Sequence, residues 1–120
     1  MKYDKDNIFA KILRGEIPCK KVYENEYVLS FHDINPQKKI HVLVIPKRRY
    51  INLDDFAENA SEKEIVEFNK AIVKVVKILK ISSVQGGYRV LSNTGIDGGQ
   101  EVPHLHYHIF GGEKIGKMVV

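Results

Sequence analysis

Residues 61–80 restrict the fold more than any other stretch. Ser61 with Glu64 three positions later spells a capping box. Ile65, Phe68, Ile72, Val75, Val76 and Leu79 then recur at helical spacing on one side, with Lys63, Glu67, Lys70, Lys74 and Lys77 opposite. A helix with this one-sided pattern must bury its apolar stripe against something. Strand-like segments at 21–24, 27–32, 40–45, 88–92 and 104–110 supply the partner. Asn25-Glu26 and Asn35-Pro36-Gln37 read as turns, and Pro46 closes the third strand because proline cannot donate to a ladder. A first helix is expected over 4–14, capped by Asp4 or Asp6, with Ile8, Phe9, Ile12 and Leu13 as its stripe and Gly15 as its stop. The order helix, three strands, helix, two strands is not a strict βαβ alternation. It predicts an α+β fold: a five-stranded antiparallel sheet with two main helices to one side.

The chain of 120 residues makes one domain, 1–120, without repeats or linkers. Its net charge of +4 comes from scattered short clusters such as Lys47-Arg48-Arg49. That fits an anionic small ligand better than a nucleic acid. One cysteine, Cys19, excludes an internal disulfide and a cysteine-based zinc site. The most apolar run, Ile72 to Ile81, is broken by Lys74, Lys77 and Lys80, so no membrane span is expected. The first six residues lack the apolar stretch of a signal peptide, and the expected compartment is the cytoplasm.

The chemistry concentrates near the C-terminal end. Three of the five histidines fall in the run His104-Leu105-His106-Tyr107-His108. In a strand, side chains alternate between faces, so the three imidazoles share one face and are expected as a row along an exposed side of the sheet, about 6.6–6.8 Å apart. Leu105, Tyr107 and Ile109 turn the other way, toward the core. Imidazoles are costly to bury without partners, so a purely structural role is a poor explanation of the row. Two functional readings follow. One is a zinc site built on His-x-His with His41 or His32 added. The other is metal-free nucleophilic and acid–base chemistry. The preceding loop, Asn93-Thr94-Gly95 and Gly98-Gly99-Gln100, spells a routine turn, and it also suits an anion-binding nest of backbone N–H groups. A phosphate held there would sit beside the first histidines, which favours the second reading.

The stretch Gly99-Gln100-Glu101-Val102-Pro103-His104-Leu105-His106-Tyr107-His108-Ile109-Phe110 resembles the histidine triad signature. Asp6-Asn7-Ile8-Phe9-Ala10-Lys11-Ile12, Glu16-Ile17-Pro18, Phe31-His32-Asp33-Ile34-Asn35-Pro36, His41 to Lys47 and Asn93-Thr94-Gly95 are similar to the nucleotide-binding branch of that superfamily. The segments occur in the family's order and cover nearly the whole chain.

The resemblance implies a homodimer whose sheets join into one. It implies a hydrolase that binds a purine nucleotide conjugate and cleaves it at the α-phosphate, releasing nucleoside monophosphate from an amine or acyl group, with no cofactor and no metal. By the same resemblance His106 is the nucleophile, His108 assists the leaving group, and His104 and His41 orient the nucleophile. Ile8, Phe9, Ile12, Phe31, His32 and Ile34 match the base pocket, and Asp33 matches the acid that holds the ribose. Asn93, Gly99, Gln100, Glu101, Val102 and His108 match positions around the phosphate. Glu101 stands where well-studied members carry a hydroxyl residue, Pro103 where an aromatic residue is frequent, and Glu113 where arginine often occurs. The tail 114–120 lacks the tryptophan-containing ending of many relatives. The alternative functions are a nucleotide-binding regulatory protein with incidental catalysis and a dinucleoside polyphosphate hydrolase.

Overall fold

The computed structural model describes residues 2–118, so the last two residues of the tail lie outside the described residues. The elements run α1 (Ile8–Leu13), β1 (Lys21–Glu24), β2 (Val28–His32), β3 (Ile40–Pro46), α2 (Leu53–Asn59), α3 (Glu62–Ile78), a short 3₁₀ turn (Ser83–Gln85), β4 (Tyr88–Leu91) and β5 (Tyr107–Gly111). The strands form a five-stranded sheet in the order β1-β2-β3-β5-β4, with every neighbouring pair antiparallel.

Alternation divides the sheet residues between two apolar layers. Val28 of β2, Val42 and Val44 of β3, and Ile109 of β5 face α2 and α3, where they meet Phe56, Phe68, Ala71, Ile72, Val75 and Val76. Leu29 and Phe31 of β2 and Leu43 and Ile45 of β3 face the other way and pack with Phe9 of α1. The helices are therefore not all to one side. The long α3 covers one face, and the short α1 shields part of the other and stands beside the histidines. Ser30, on the α3 side of β2, is fully buried, and its Oγ has no hydrogen-bond partner among the described residues.

The ends of the helices follow their caps. The capping box at Ser61 and Glu64 forms as expected. Glu64 is buried, and its carboxylate also accepts from Tyr50 Oη at 2.9 Å and from Arg48 at 3.2 Å. The α3 C-terminus closes with Lys80 in the left-handed region at φ 59°. The first helix is shorter than the expected 4–14, and its cap is Asn7, not Asp4 or Asp6. Asn7 Oδ1 accepts from Ala10 N at 2.9 Å, while Asp4 spends its own oxygens on a turn through Asp6 and Asn7. Gly15 stops α1 at φ 78°, with Glu16 N donating to Lys11 O and Gly15 N to Ile12 O. The helix α2 was not expected. It is only seven residues long and buries a single side chain, Phe56, so it has no periodic pattern to betray it.

The C-terminal strand also differs from expectation. It begins at Tyr107, not at His104. Its pairing with β3 runs from Ile40↔Gly111 to Val44↔Tyr107 and stops there. Continuing it would bring Leu105 opposite Pro46, which has no N–H to offer. Leu105 N donates instead to Tyr50 O at 2.8 Å. The segment 104–106 thus leaves the ladder and folds over the end of β3.

Candidate active site

The histidine segment is not a row on an exposed face. His104 is 0% exposed and His106 6%, while His108 is half-buried. Alternation of sides survives the irregular backbone, since Leu105 and Ile109 sit in the α3-side core. Phe9 of α1 meets His106 edge-on at 4.9 Å between centroids, and His106 meets His108 at 5.1 Å. From β3, His41 comes within 5.1 Å of His108, and Phe110 lies against both. Four of the five histidines therefore form one cluster. Its anchors are both ends of β3 (His41 and Pro46), the start of β5 and the start of α1.

Hydrogen bonds fix which nitrogens carry protons. His106 Nδ1 lies 2.7 Å from the carbonyl oxygen of His104. A carbonyl only accepts, so Nδ1 carries the proton and the lone pair is on Nε2. Among the described residues that Nε2 has no partner, and it is not sealed from solvent. Ser92 Oγ donates to His106 O at 3.0 Å and steadies the same residue from β4's exit. Gln37 N donates to His41 Nδ1 at 3.0 Å, so His41 carries its proton on Nε2. From there it can reach His108 Nδ1 at 2.9 Å and Asp33 Oδ2 at 3.3 Å. His108 thus accepts on Nδ1 and keeps Nε2–H as a donor. His104 is saturated on both sides: Nε2 donates to Pro46 O at 2.8 Å, and Nδ1 accepts from Tyr3 Oη at 2.6 Å.

The outcome is one imidazole with a lone pair on offer, His106, next to one with an N–H on offer, His108. Both groups are neutral at pH 7. Burial holds His104 and His108 down to about 4, with His106 as a further cause at each. Burial also lowers His106, against the opposing pull of the His104 carbonyl and the carboxylates of Asp33 and Glu101. His41 is lowered by burial, with Asp33 opposing. A neutral nucleophile and a neutral hydrogen-bond donor suit attack on a phosphorus or acyl centre that carries negative oxygens. In this state His108 stabilises by donating a hydrogen bond. It does not wait as an imidazolium.

Asp33, His41 and His108 place three donor atoms within 4.8 Å of one another. Their surroundings nonetheless suit a proton relay better than a ligand set. A metal on His41 Nε2 would require Nδ1–H, and Gln37 N–H already points at that nitrogen. The His-x-His zinc reading meets the same difficulty at His104, whose two nitrogens are both bonded to protein.

The remaining expected site residues divide. Phe9 and Phe31 are buried together at 5.7 Å, and Ile12 and Val102 pack on the same layer. Ile8 and Ile34 are apolar yet 40% and 85% exposed, outside both apolar layers. Asp33 is brought to His41 as well as to its own turn, where Oδ1 accepts from Asn35 N at 2.8 Å. His32 follows Phe31 with its side chain on the alternate face of β2, exposed and apart from the cluster. Asn93 is half-buried after β4, and Gly99 and Glu101 are exposed. The loop between them is a compact turn in which Gln100 N donates to Gly95 O. Gly98 is required there, since a Cβ would lie 2.2 Å from Thr94 O. Gln100 is a brace in this arrangement: its side-chain amide donates to Ile51 O at 2.7 Å and to Val102 O at 3.0 Å. Sequence reasoning missed Tyr3, Gln37 and the Pro46 carbonyl. Nothing in their spacing marks them, because each acts through a contact that only the fold creates.

Comparison with known proteins places this arrangement. The model of the HIT domain matches residues 14–115. The chain belongs to the HIT family. An uncharacterized 13.2 kDa HIT-like protein of Azospirillum brasilense is 53% identical over 117 residues, covering 98% of this chain and 94% of its own. A HIT-like protein of Methanocaldococcus jannaschii is 46% identical, covering 85% and 75%. The solved histidine triad protein of Clostridium difficile has a TM-score of 0.83 and 44% identity, covering 98% of each chain. A HIT family hydrolase from Clostridium thermocellum reaches a TM-score of 0.84 at 36% identity, covering 98% of this chain and 99% of its own. The α+β fold of this HIT protein is thus that of proteins described as hydrolases. Among its described residues no helix is long and apolar enough to cross a membrane.

Proposed function

We propose that the protein is a nucleotide-binding hydrolase that cleaves nucleoside 5'-phosphoramidates or acyl-nucleotides at the α-phosphate. The observation that carries this reading is the bond from His106 Nδ1 to the His104 carbonyl, which leaves the Nε2 lone pair as the attacking group. His106 Nε2 forms a bond to phosphorus as the bond from phosphorus to the leaving nitrogen or oxygen breaks. The leaving group departs with a proton taken from solvent or through His108. Water then attacks phosphorus, the bond to His106 breaks, and nucleoside monophosphate is released. His108 Nε2–H supports the charge that gathers on the phosphate oxygens. The exposed Ile8 and Ile34 supply an apolar wall for a purine, and Asp33 is the acid for the ribose hydroxyls. No step draws on a metal or cofactor. We also propose a cytoplasmic homodimer, whose joined sheets would use one of the unpaired edges, β1 or β4.

The test is turnover of a fluorogenic adenosine phosphoramidate by the wild-type chain and by His106→Ala. Wild-type turnover and its loss in the variant are expected, with a nucleotidyl adduct on the wild-type protein under rapid quench. Equal rates in the two proteins would leave nucleotide binding alone. Cleavage confined to dinucleoside polyphosphates would move the substrate class. Light scattering decides the dimer.

A further inference from the structure

We infer that Tyr3 is a positioning residue for the nucleophile, acting from the far end of the chain through His104. The His104 ring is fully buried and has two nitrogens to satisfy. The Pro46 carbonyl can only accept, so it fixes the proton on Nε2. Nδ1 is then a buried lone pair that only a donor can satisfy. The donor is the phenol of Tyr3, 2.6 Å away and 101 positions distant in sequence. The Tyr3 ring meets His104 edge-on at 5.6 Å and carries the Arg49 guanidinium 5.5 Å above its own face. Burial raises the Tyr3 hydroxyl, so it keeps the proton that it donates.

The His104 ring does not touch the His106 ring through a hydrogen bond. What reaches His106 is the His104 backbone carbonyl, at 2.7 Å from Nδ1. Residues 104–106 have no ladder to hold that carbonyl in place, since β5 begins at Tyr107. The same peptide is held on its other side by Leu105 N donating to Tyr50 O, and the ring of His104 is its second anchor. One end of the ring is tied to the last residue of β3 and the other to Tyr3. Removing the Tyr3 hydroxyl frees one end of the ring, leaves the 104–105 peptide on the Tyr50 and Pro46 bonds alone, and widens the range of directions in which the His106 lone pair points. Orientation errors of this kind act on the chemical step more than on substrate binding.

This inference takes its kinetic arm from the phosphoramidase reading above, and its spectroscopic arm stands apart from it. In the full chain, Tyr3→Phe is expected to lower kcat about tenfold to a hundredfold, with KM within about twofold. Long-range ¹⁵N–¹H spectra are expected to show His106 held as a single Nδ1–H tautomer in the wild type and as a mixture in the variant. In a His104→Ala background the same change is expected to alter kcat by less than about twofold, because the anchor is already gone. A folded Tyr3→Phe protein with wild-type kcat and an unchanged His106 tautomer overturns the inference, whatever its Tm. So do multiplicative effects of the two variants. If the wild type does not cleave phosphoramidates, the functional reading falls and the tautomer comparison still decides the role of Tyr3. If Tyr3→Phe fails to fold, the wild-type spectrum decides alone: His104 unprotonated at Nδ1 supports the anchor, and His104 protonated there overturns it.

Discussion

Acidification should destabilise this protein through His104, by an amount the structure allows to be worked out. The unfolded chain binds a proton at His104 near pH 6.5, whereas the folded chain withholds binding until about 4. Above pH 6.5 both states are neutral, and the residue adds no pH dependence. Between 6.5 and 4 the unfolded state holds more protons, so stability falls as pH falls. A difference of this size corresponds to about 3 kcal/mol over the whole window, of which about 2.5 kcal/mol has gone by pH 4.5. The residue is fully buried, so no screening discount is needed. The assay is urea unfolding of the wild type and His104→Gln at intervals from pH 7 to 4.5. Other groups titrate in both proteins and cancel in the difference. The stability advantage of the wild type should shrink by about 2.5 kcal/mol across that range. A difference that stays flat with pH would refute the reasoning. An imidazole titration of His104 by NMR with a midpoint near 6.5 would refute it equally well.

Other consequences can be checked by equilibrium unfolding. Glu64→Ala should cost about 2–3 kcal/mol, because it removes the capping box and leaves Tyr50 Oη without its acceptor. Lys80→Gly should stabilise by about 0.5–1 kcal/mol, since Lys80 holds φ 59° at the end of α3. Ser30→Ala should be neutral or stabilising by up to about 1 kcal/mol, because the buried hydroxyl has no partner to lose among the described residues. Phe9→Ala should cost about 3 kcal/mol and also lower turnover, because Phe9 packs on Phe31 and against the His106 ring.

The elements that the sequence makes legible are those that carry their own signal. The stripe from Ile65 to Leu79 and the box at Ser61 place α3 within two residues of its observed ends. The short strands β1 to β4 are bounded by Asn25, Pro36, Pro46 and Gly87, whose backbone chemistry is local. What is not legible is decided by partners. Period-two alternation predicts a strand from His104, but it cannot see that Pro46 withholds the matching donor. Asn7 outcompetes Asp4 and Asp6 as a cap because Asp4 is already committed to the preceding turn. The histidine cluster itself is legible as three residues in His104, His106 and His108. His41 joins through β3 to β5 pairing, which places it opposite Phe110 and two positions from His108's partner Leu43. Tyr3 has no sequence signal at all.

The departure of the chain from the sheet after Pro46 has a consequence for how the protein fails. The core strands are held by ladders and by α3, whereas residues 100–106 have no ladder and are held by individual bonds to Ile51, Tyr50, Pro46 and Tyr3 and by the burial of Leu105. Such a segment can open while the strands beneath it remain paired. Loss of function under mild heat or low urea then comes before loss of the fold, and recovery needs only re-docking. In this molecule the reactive geometry is a removable fitting on a durable frame.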